Sequence, residues 1–359
     1  MKFSKSLLTG IILTIFIAGC ISPELRTARI AVNERDWDRA LKAIDLELSR
    51  TGPTAEPLYL KGLIYEQKAQ IAEKDTSADL LDIYTKMSTY YDSSLTLSNL
   101  FADKINDSRD RLFRKFLKRS ADAADTSNWD ASLANVDISI TIAPDRRVLY
   151  QHAAVTAYNG ERYDKAIGYA LREVLKEHAD SVDITTREVL IASYSNKKDN
   201  ANTLKWGKDL LLHCDPVADS AAYLRTHDLL LSVYEETNNH DAAIALIDEA
   251  NKHFSNHSVM LMNKALFLIK KEDFQNAAKI YREVLAIDPE NFDANLNLGT
   301  ILVTDKMWKE SIPYLKKAHE TDGKNLVAIK NLMAAYYNTE QVKLGNEIRA
   351  KLDAIQAGK

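Results

Sequence analysis

The sequence predicts an all-α chain built as a solenoid of repeated helix-turn-helix units, and three observations predict it. Asn263, Asn297 and Asn331 stand 34 residues apart, and small or apolar residues recur around them at the same interval. A period of this length suits a pair of helices that buries its apolar face only by stacking on neighbouring pairs. Four such segments, beginning at Leu224, Ser258, Phe292 and Leu326, follow one another without a gap and end at Lys359. Finally, no glycine or proline occurs between Gly62 and Pro144, while Leu80, Leu81, Tyr84, Met87 and Tyr91 recur at helical spacing.

The chain opens with MKFSKSLLTGIILTIFIAGC. Lys2 and Lys5 make a positive start, Leu7 to Ile17 a short apolar run, and Ile17-Ala18-Gly19-Cys20 a small-residue cleavage site. The run is shorter than the ~20 apolar residues a spanning helix needs. The pattern resembles a bacterial lipoprotein signal peptide, and the cysteine after Gly19 matches that family's lipobox. The resemblance implies that residues 1–19 are removed and that Cys20 carries lipid. It also implies a cell-envelope address, and Ile21 in place of an aspartate after the cysteine favours the outer membrane, facing the periplasm.

Residues 20–112 read as N-terminal repeats with an irregular helical insertion. Ile21 to Thr54 forms a first unit, with Ala28, Trp37 and Ala40 at its marker positions. Ala55 to Leu112 starts like a repeat at Leu58, Gly62 and Tyr65 but outruns one unit, so extended or additional helices are expected there. Tyr84, Tyr90, Tyr91, Phe101, Phe113 and Phe116 are core candidates for this enlarged region, with an exposed docking patch as the alternative. Residues 113–359 read as the regular solenoid, with units opening at Phe113, Arg147 and Ile184 before the four contiguous ones.

The segment FDANLNLGTILVTDKMWKESIPYLKKAHETDGKN, Phe292 to Asn325, resembles the tetratricopeptide repeat. That family implies a right-handed superhelical solenoid of helix-turn-helix repeats whose first helices line a concave groove. Its pattern places Ala243, Ala277, Ser311 and Gly345 where two helices touch, and Tyr234, Leu268, Leu302 and Tyr336 in the apolar stripe. In peptide-binding members, positions 2, 5, 6, 9, 12 and 13 of each unit face the ligand. Asn263, Asn297 and Asn331 all fall at position 6, where carboxamides can donate to and accept from the backbone of an extended peptide. Thr300 stands at position 9, Lys330 at position 5 and Asn338 at position 13, giving a polar end. Met262, Leu266 and Ile269 give an apolar middle, and Asp228, Glu235 and Glu236 an acidic stretch. A carboxylate clamp is incomplete, because position 5 holds Leu296, Met262 and Asp228 in the other units.

The resemblances together imply a lipid-anchored scaffold that binds a protein or peptide partner, within an envelope assembly or secretion complex. The alternative is an accessory subunit of an enzyme acting on peptidoglycan or polysaccharide. With 47 basic against 51 acidic residues, there is no cationic excess to neutralise nucleic-acid phosphates. No zinc-protease, hydrolase-elbow or phosphate-loop motif occurs, so neither an enzyme nor a cofactor or metal is expected. His253 and His257 are spaced for one helical face but sit where a helix should end, and Cys214 reads as a small core residue.

Overall fold

The computed structural model describes residues 21–75, 78–174, 183–254 and 258–358. Among these the chain is all-α, with eighteen α-helices, one 3-10 turn and no strand. It divides into two compact units at Glu173/Val174. The first holds α1 (Pro23–Glu34), α2 (Trp37–Thr51), α3 (Ala55–Ala72), α4 (Leu80–Leu97), a 3-10 turn (Asn99–Phe101), α5 (Ala102–Asp125), α6 (Trp129–Ile142), α7 (Arg147–Asn159) and nearly all of α8 (Tyr163–Val174). The second holds α9 (Ile184–Asn196), α10 (Asn200–His213), α11 (Ser220–Glu236), α12 (His240–Ala250), α13 (Ser258–Lys270), α14 (Phe274–Ile287), α15 (Phe292–Thr304), α16 (Trp308–Thr321), α17 (Leu326–Asn338) and α18 (Val342–Gln356). Within each unit successive helices form hairpins, and each hairpin packs on the next.

One turn recurs in eight hairpins. Arg35, Ser127, Glu161, Lys198, Asn238, Glu272, Lys306 and Glu340 each adopt the left-handed conformation two residues before a second helix begins. The following residue donates its N–H five residues back, as Asp273 does to Leu268 and Met307 to Leu302, at 2.9 and 2.8 Å. The left-handed residue itself donates three back, as Glu272 does to Ile269 and Lys306 to Val303. This pair of bonds satisfies the last carbonyls of the first helix. The next helix is then capped by a side chain in five of the eight: Asp36, Asn128, Asp199, Asn239 and Asp273 each accept from the N–H three residues on. None of the eight left-handed residues is glycine, so each turn holds its shape against a local conformational penalty.

The helix contacts of the second unit follow the expected register. Ala243, Ala277, Ser311 and Gly345 are all buried. A Cβ on Gly345 would stand 2.7 Å from the Tyr337 ring, and one on Gly299 2.6 Å from Leu315 Cγ. Small side chains are therefore required here by crowding. Around them, Leu268, Tyr281, Val284, Leu298 and Leu302 form one continuous apolar cluster.

Phe113, at which the register opens a repeat, lies inside α5. That helix starts at Ala102 because Ile105 and Leu112 continue its buried stripe toward the N-terminus. The enlarged region thus packs three long helices together, α3, α4 and α5. Its aromatic residues are core: Tyr84, Tyr91, Phe101 and Phe116 are buried, and Tyr59 stacks on Phe101 with ring centroids 4.4 Å apart. Tyr90, half-buried, stacks on Tyr65 at 5.6 Å. Two carboxylates seven residues apart, Glu66 within α3 and Glu73 capping its C-terminal end, join the three helices. Glu66 accepts from Tyr91 Oη at 2.7 Å, Ser108 Oγ at 2.5 Å and Arg111 at 2.5 Å. Glu73 accepts from Tyr84 Oη at 2.7 Å and pairs with Lys115 and Arg119. Tyr91 can approach only because α3 has a glycine opposite it, since a Cβ on Gly62 would lie 2.3 Å from the ring.

Burial by itself raises the Glu73 pKa, but the bonds from Lys115 and Tyr84 and the charges of Lys115 and Arg119 outweigh it and hold the carboxyl below its ordinary value of 4.5. Because the folded value is the lower one, this site stabilises the first unit fully above that pH, and the contribution is lost as pH falls through the folded value. Glu73→Gln should therefore flatten the loss of stability on acidification below about pH 4.5. Urea titrations followed by tyrosine fluorescence at stepped pH measure this. An equally steep acid limb in the variant would remove Glu73 from the account.

Candidate functional site

The surface that the sequence marks is built from the first helices of the four contiguous hairpins, α11, α13, α15 and α17. Their inward stripes, including Leu230, Ala265, Leu298 and Leu332, are buried against the second helices. This fixes the rotation of each first helix and turns positions 2, 5, 6, 9, 12 and 13 outward. The three asparagines do not form equivalent rungs. Asn331 Nδ2 donates to Thr300 Oγ1 of the preceding hairpin at 2.9 Å, and Thr300 Oγ1 in turn donates to the Leu296 carbonyl at 2.7 Å. Asn297 neighbours the Tyr281 hydroxyl, whose pKa burial pushes up to about 12 while the Asn297 carboxamide pulls it down. Half-buried Asn263 has no hydrogen-bond partner among the described residues.

The rest of the polar end is exposed. Lys330 stands in solvent with no ion pair among the described residues, and Asn338 Nδ2 donates to the Ala334 carbonyl of its own helix at 2.8 Å. The acidic stretch is neutralised only at Glu235, which pairs with Lys270, because Arg225 is taken by Glu188 at 2.7 Å. Asp228 remains exposed. Between these ends the surface is apolar over a wider area than Met262, Leu266 and Ile269 alone. Leu296 and Val303 are half-buried, and Val259 and Val327 are exposed. These four stand at positions 5, 12, 2 and 2, so the repeat register carried the signal. The arrangement can take up apolar side chains along α13 and α15 and offer Asn263 as a free donor and acceptor beside them.

Other candidates resolve differently. Cys20 and His257 lie outside the described residues. Cys214 is buried, and burial first, then the charges of Asp219 and Asp215, raise its thiol pKa, which makes it unreactive. His253 packs edge-on to Tyr223 at 6.3 Å. Among the described residues no group of histidine, cysteine and carboxylate side chains could hold a metal, and no helix is long and apolar enough to cross a membrane. A shallow depression of about 360 Å³ lies behind α15, lined by Arg282, Leu285, Pro289, Asn295 and Tyr314. Its one cation, Arg282, is paired with Glu310 at 2.8 Å, and the buried Asn295 carboxamide donates to the Pro289 and Asn291 carbonyls.

Residues 268–336, from the end of α13 through most of α17, match the family model described as tetratricopeptide repeat. Comparison with curated proteins returns no significant match. Several solved structures are similar in fold. YrrB, described as a TPR protein with an unusual peptide-binding site, is 14% identical over 54% of this chain and 96% of its own, with a TM-score of 0.41. A double mutant of MamA RS-1 is 16% identical over 50% and 98%, with a TM-score of 0.42. The C-terminal part of a TPR repeat-containing protein from Cytophaga hutchinsonii is 15% identical over 68% and 94%, with a TM-score of 0.48.

Proposed function

We propose that this chain is a lipid-anchored scaffold of the bacterial cell envelope that holds an extended segment of a partner protein along α11, α13, α15 and α17. The observation that carries the reading is the outward row of Val259, Met262, Leu266, Ile269, Leu296 and Val303 beside the unpaired Asn263. In that row Val259 and Leu266 are exposed and the other four half-buried. A continuous row of solvent-reaching apolar side chains marks an interaction surface, and a half-buried carboxamide without an internal partner is available to a ligand backbone. Protein interaction is also the general use of stacked helical hairpins of this kind.

Site-specific photocrosslinking in intact envelopes tests this directly. A crosslinker in place of Leu266 or Val303 should yield a discrete protein adduct, and one in place of Ala286 or Lys309, on second helices, should not. Adducts of equal yield from both faces would defeat the groove reading. With that partner in hand, Asn263→Ala should weaken binding by about 0.5–1.5 kcal/mol, the net worth of one hydrogen bond. Asn331→Ala should have a smaller effect, because Asn331 is already bonded to Thr300. The anchor is tested separately. Cys20→Ser should leave the precursor uncleaved or release an unlipidated body on fractionation, since stable attachment takes at least two acyl chains. A variant that still matures and stays with membranes like the parent would rule the lipidation out.

A further inference from the structure

Helix α5 carries five basic residues within nine positions, Arg111, Arg114, Lys115, Lys118 and Arg119, with no acidic residue among them. The buried carboxylates take three of these, Arg111 onto Glu66 and Lys115 with Arg119 onto Glu73. At roughly 100° per residue, Lys104, Arg111, Arg114 and Lys118 fall on one face of α5 about 80° wide. All four are exposed. Lys104, Arg114 and Lys118 make no ion pair among the described residues. Asp107 interrupts the row near its start and Asp122 closes it, so the stretch from Arg111 to Arg119 is cationic only. The row from Lys104 to Lys118 is straight and about 21 Å long.

We infer that this outer face of α5 is a contact surface for anionic phospholipid headgroups, holding the first unit against a membrane. Two observations favour a lipid surface over an acidic protein. The face carries no large apolar side chain, whereas the buried core of a protein interface is enriched in aromatic side chains and depleted of lysine. And α1 begins at Pro23, three positions after Cys20, so the expected anchor would keep the first unit within reach of headgroups. The inference shares the envelope address and the expected anchor with the proposed function, but not its peptide surface. The peptide surface lies in the other unit, and the test below leaves Cys20 out.

The polypeptide from Ile21 onward, which carries every described helix and no lipid, is sedimented with vesicles. Vesicles of phosphatidylcholine alone are compared with vesicles of phosphatidylcholine and phosphatidylglycerol in a three-to-one ratio. Binding is expected only to the mixed vesicles and should vanish in ~0.5 M salt, where charges are screened beyond a few ångströms. Arg114→Gln combined with Lys118→Gln should weaken it roughly 25-fold, about fivefold for each cation removed. The charge-matched pair Lys309→Gln with Lys324→Gln, in the second unit, should leave it unchanged. Circular dichroism checks that both variants are folded. Absence of binding by the parent, binding to both vesicles alike, or an α5 double variant that binds as the parent does would overturn the inference. Tighter capture by soluble polyglutamate than by mixed vesicles would also overturn it and assign the face to an acidic polypeptide.

Discussion

Glu66→Ala should destabilise the first unit by about 3–5 kcal/mol, the usual consequence of removing one side of a buried charged network. Glu66 is 4% exposed and is the common acceptor for groups on two other helices, Tyr91 on α4 and Ser108 and Arg111 on α5. Its removal leaves the hydroxyls of Tyr91 and Ser108 buried without that acceptor. Tyr91→Phe takes away only one donor and should cost about 1–2 kcal/mol. Chemical denaturation followed by near-ultraviolet circular dichroism separates the two, since Tyr59, Tyr84 and Tyr91 all report on this core. If Glu66→Ala unfolded no earlier than Tyr91→Phe, the carboxylate would not be the element joining the three helices.

In the second unit the largest effect should come from Leu315→Ala, about 2–5 kcal/mol for a buried leucine leaving a cavity. Leu315 is fully buried and rests on Gly299. The informative measurement is the pair. Gly299→Ala alone pushes a methyl to 2.6 Å from Leu315 Cγ and should be destabilising by about 1–3 kcal/mol. In the Leu315→Ala background the clash is gone, and the same change should stabilise by up to ~1 kcal/mol through helix propensity. Residues in contact are expected to couple in this way. A Gly299→Ala effect of the same sign and size in both backgrounds would show that crowding does not choose the glycine.

Much of this architecture could be read from the sequence because the repeat constrains few residue types tightly. Ala277, Ser311 and Gly345 are small for a steric reason, and Trp37, Trp129 and Trp308 each begin a second helix where the register puts them. The enlarged region was legible only as helical. Its organising residues, Glu66 and Glu73, look like ordinary surface acids in a charged stretch, and only the approach of α4 and α5 makes them central. The binding surface was legible as a set of positions but not as chemistry. That Asn331 is held by Thr300 while Asn263 is free depends on the rotation of one hairpin against the next, which no single position encodes. The left-handed turns were hidden for the opposite reason. Their residues are arginine, serine, glutamate, lysine and asparagine, and glycine, the usual marker, is absent.

Those turns make the chain permissive in some places and closed in others. Seven of the eight hairpins that contain them place three residues between their helices and the first places two, whereas the fully described segments between hairpins range from the three residues 52–54 to the six residues 214–219. Extra residues at Lys306 would displace both bonds that end α15 and misdirect α16. Extra residues beside the exposed Gly323, between α16 and α17, meet no such closure. Lengthening by duplication, acquisition of a new loop and grafting of a foreign epitope are therefore all channelled to the same edge of the hairpin stack, and variety can accumulate there without disturbing the surface made by the first helices.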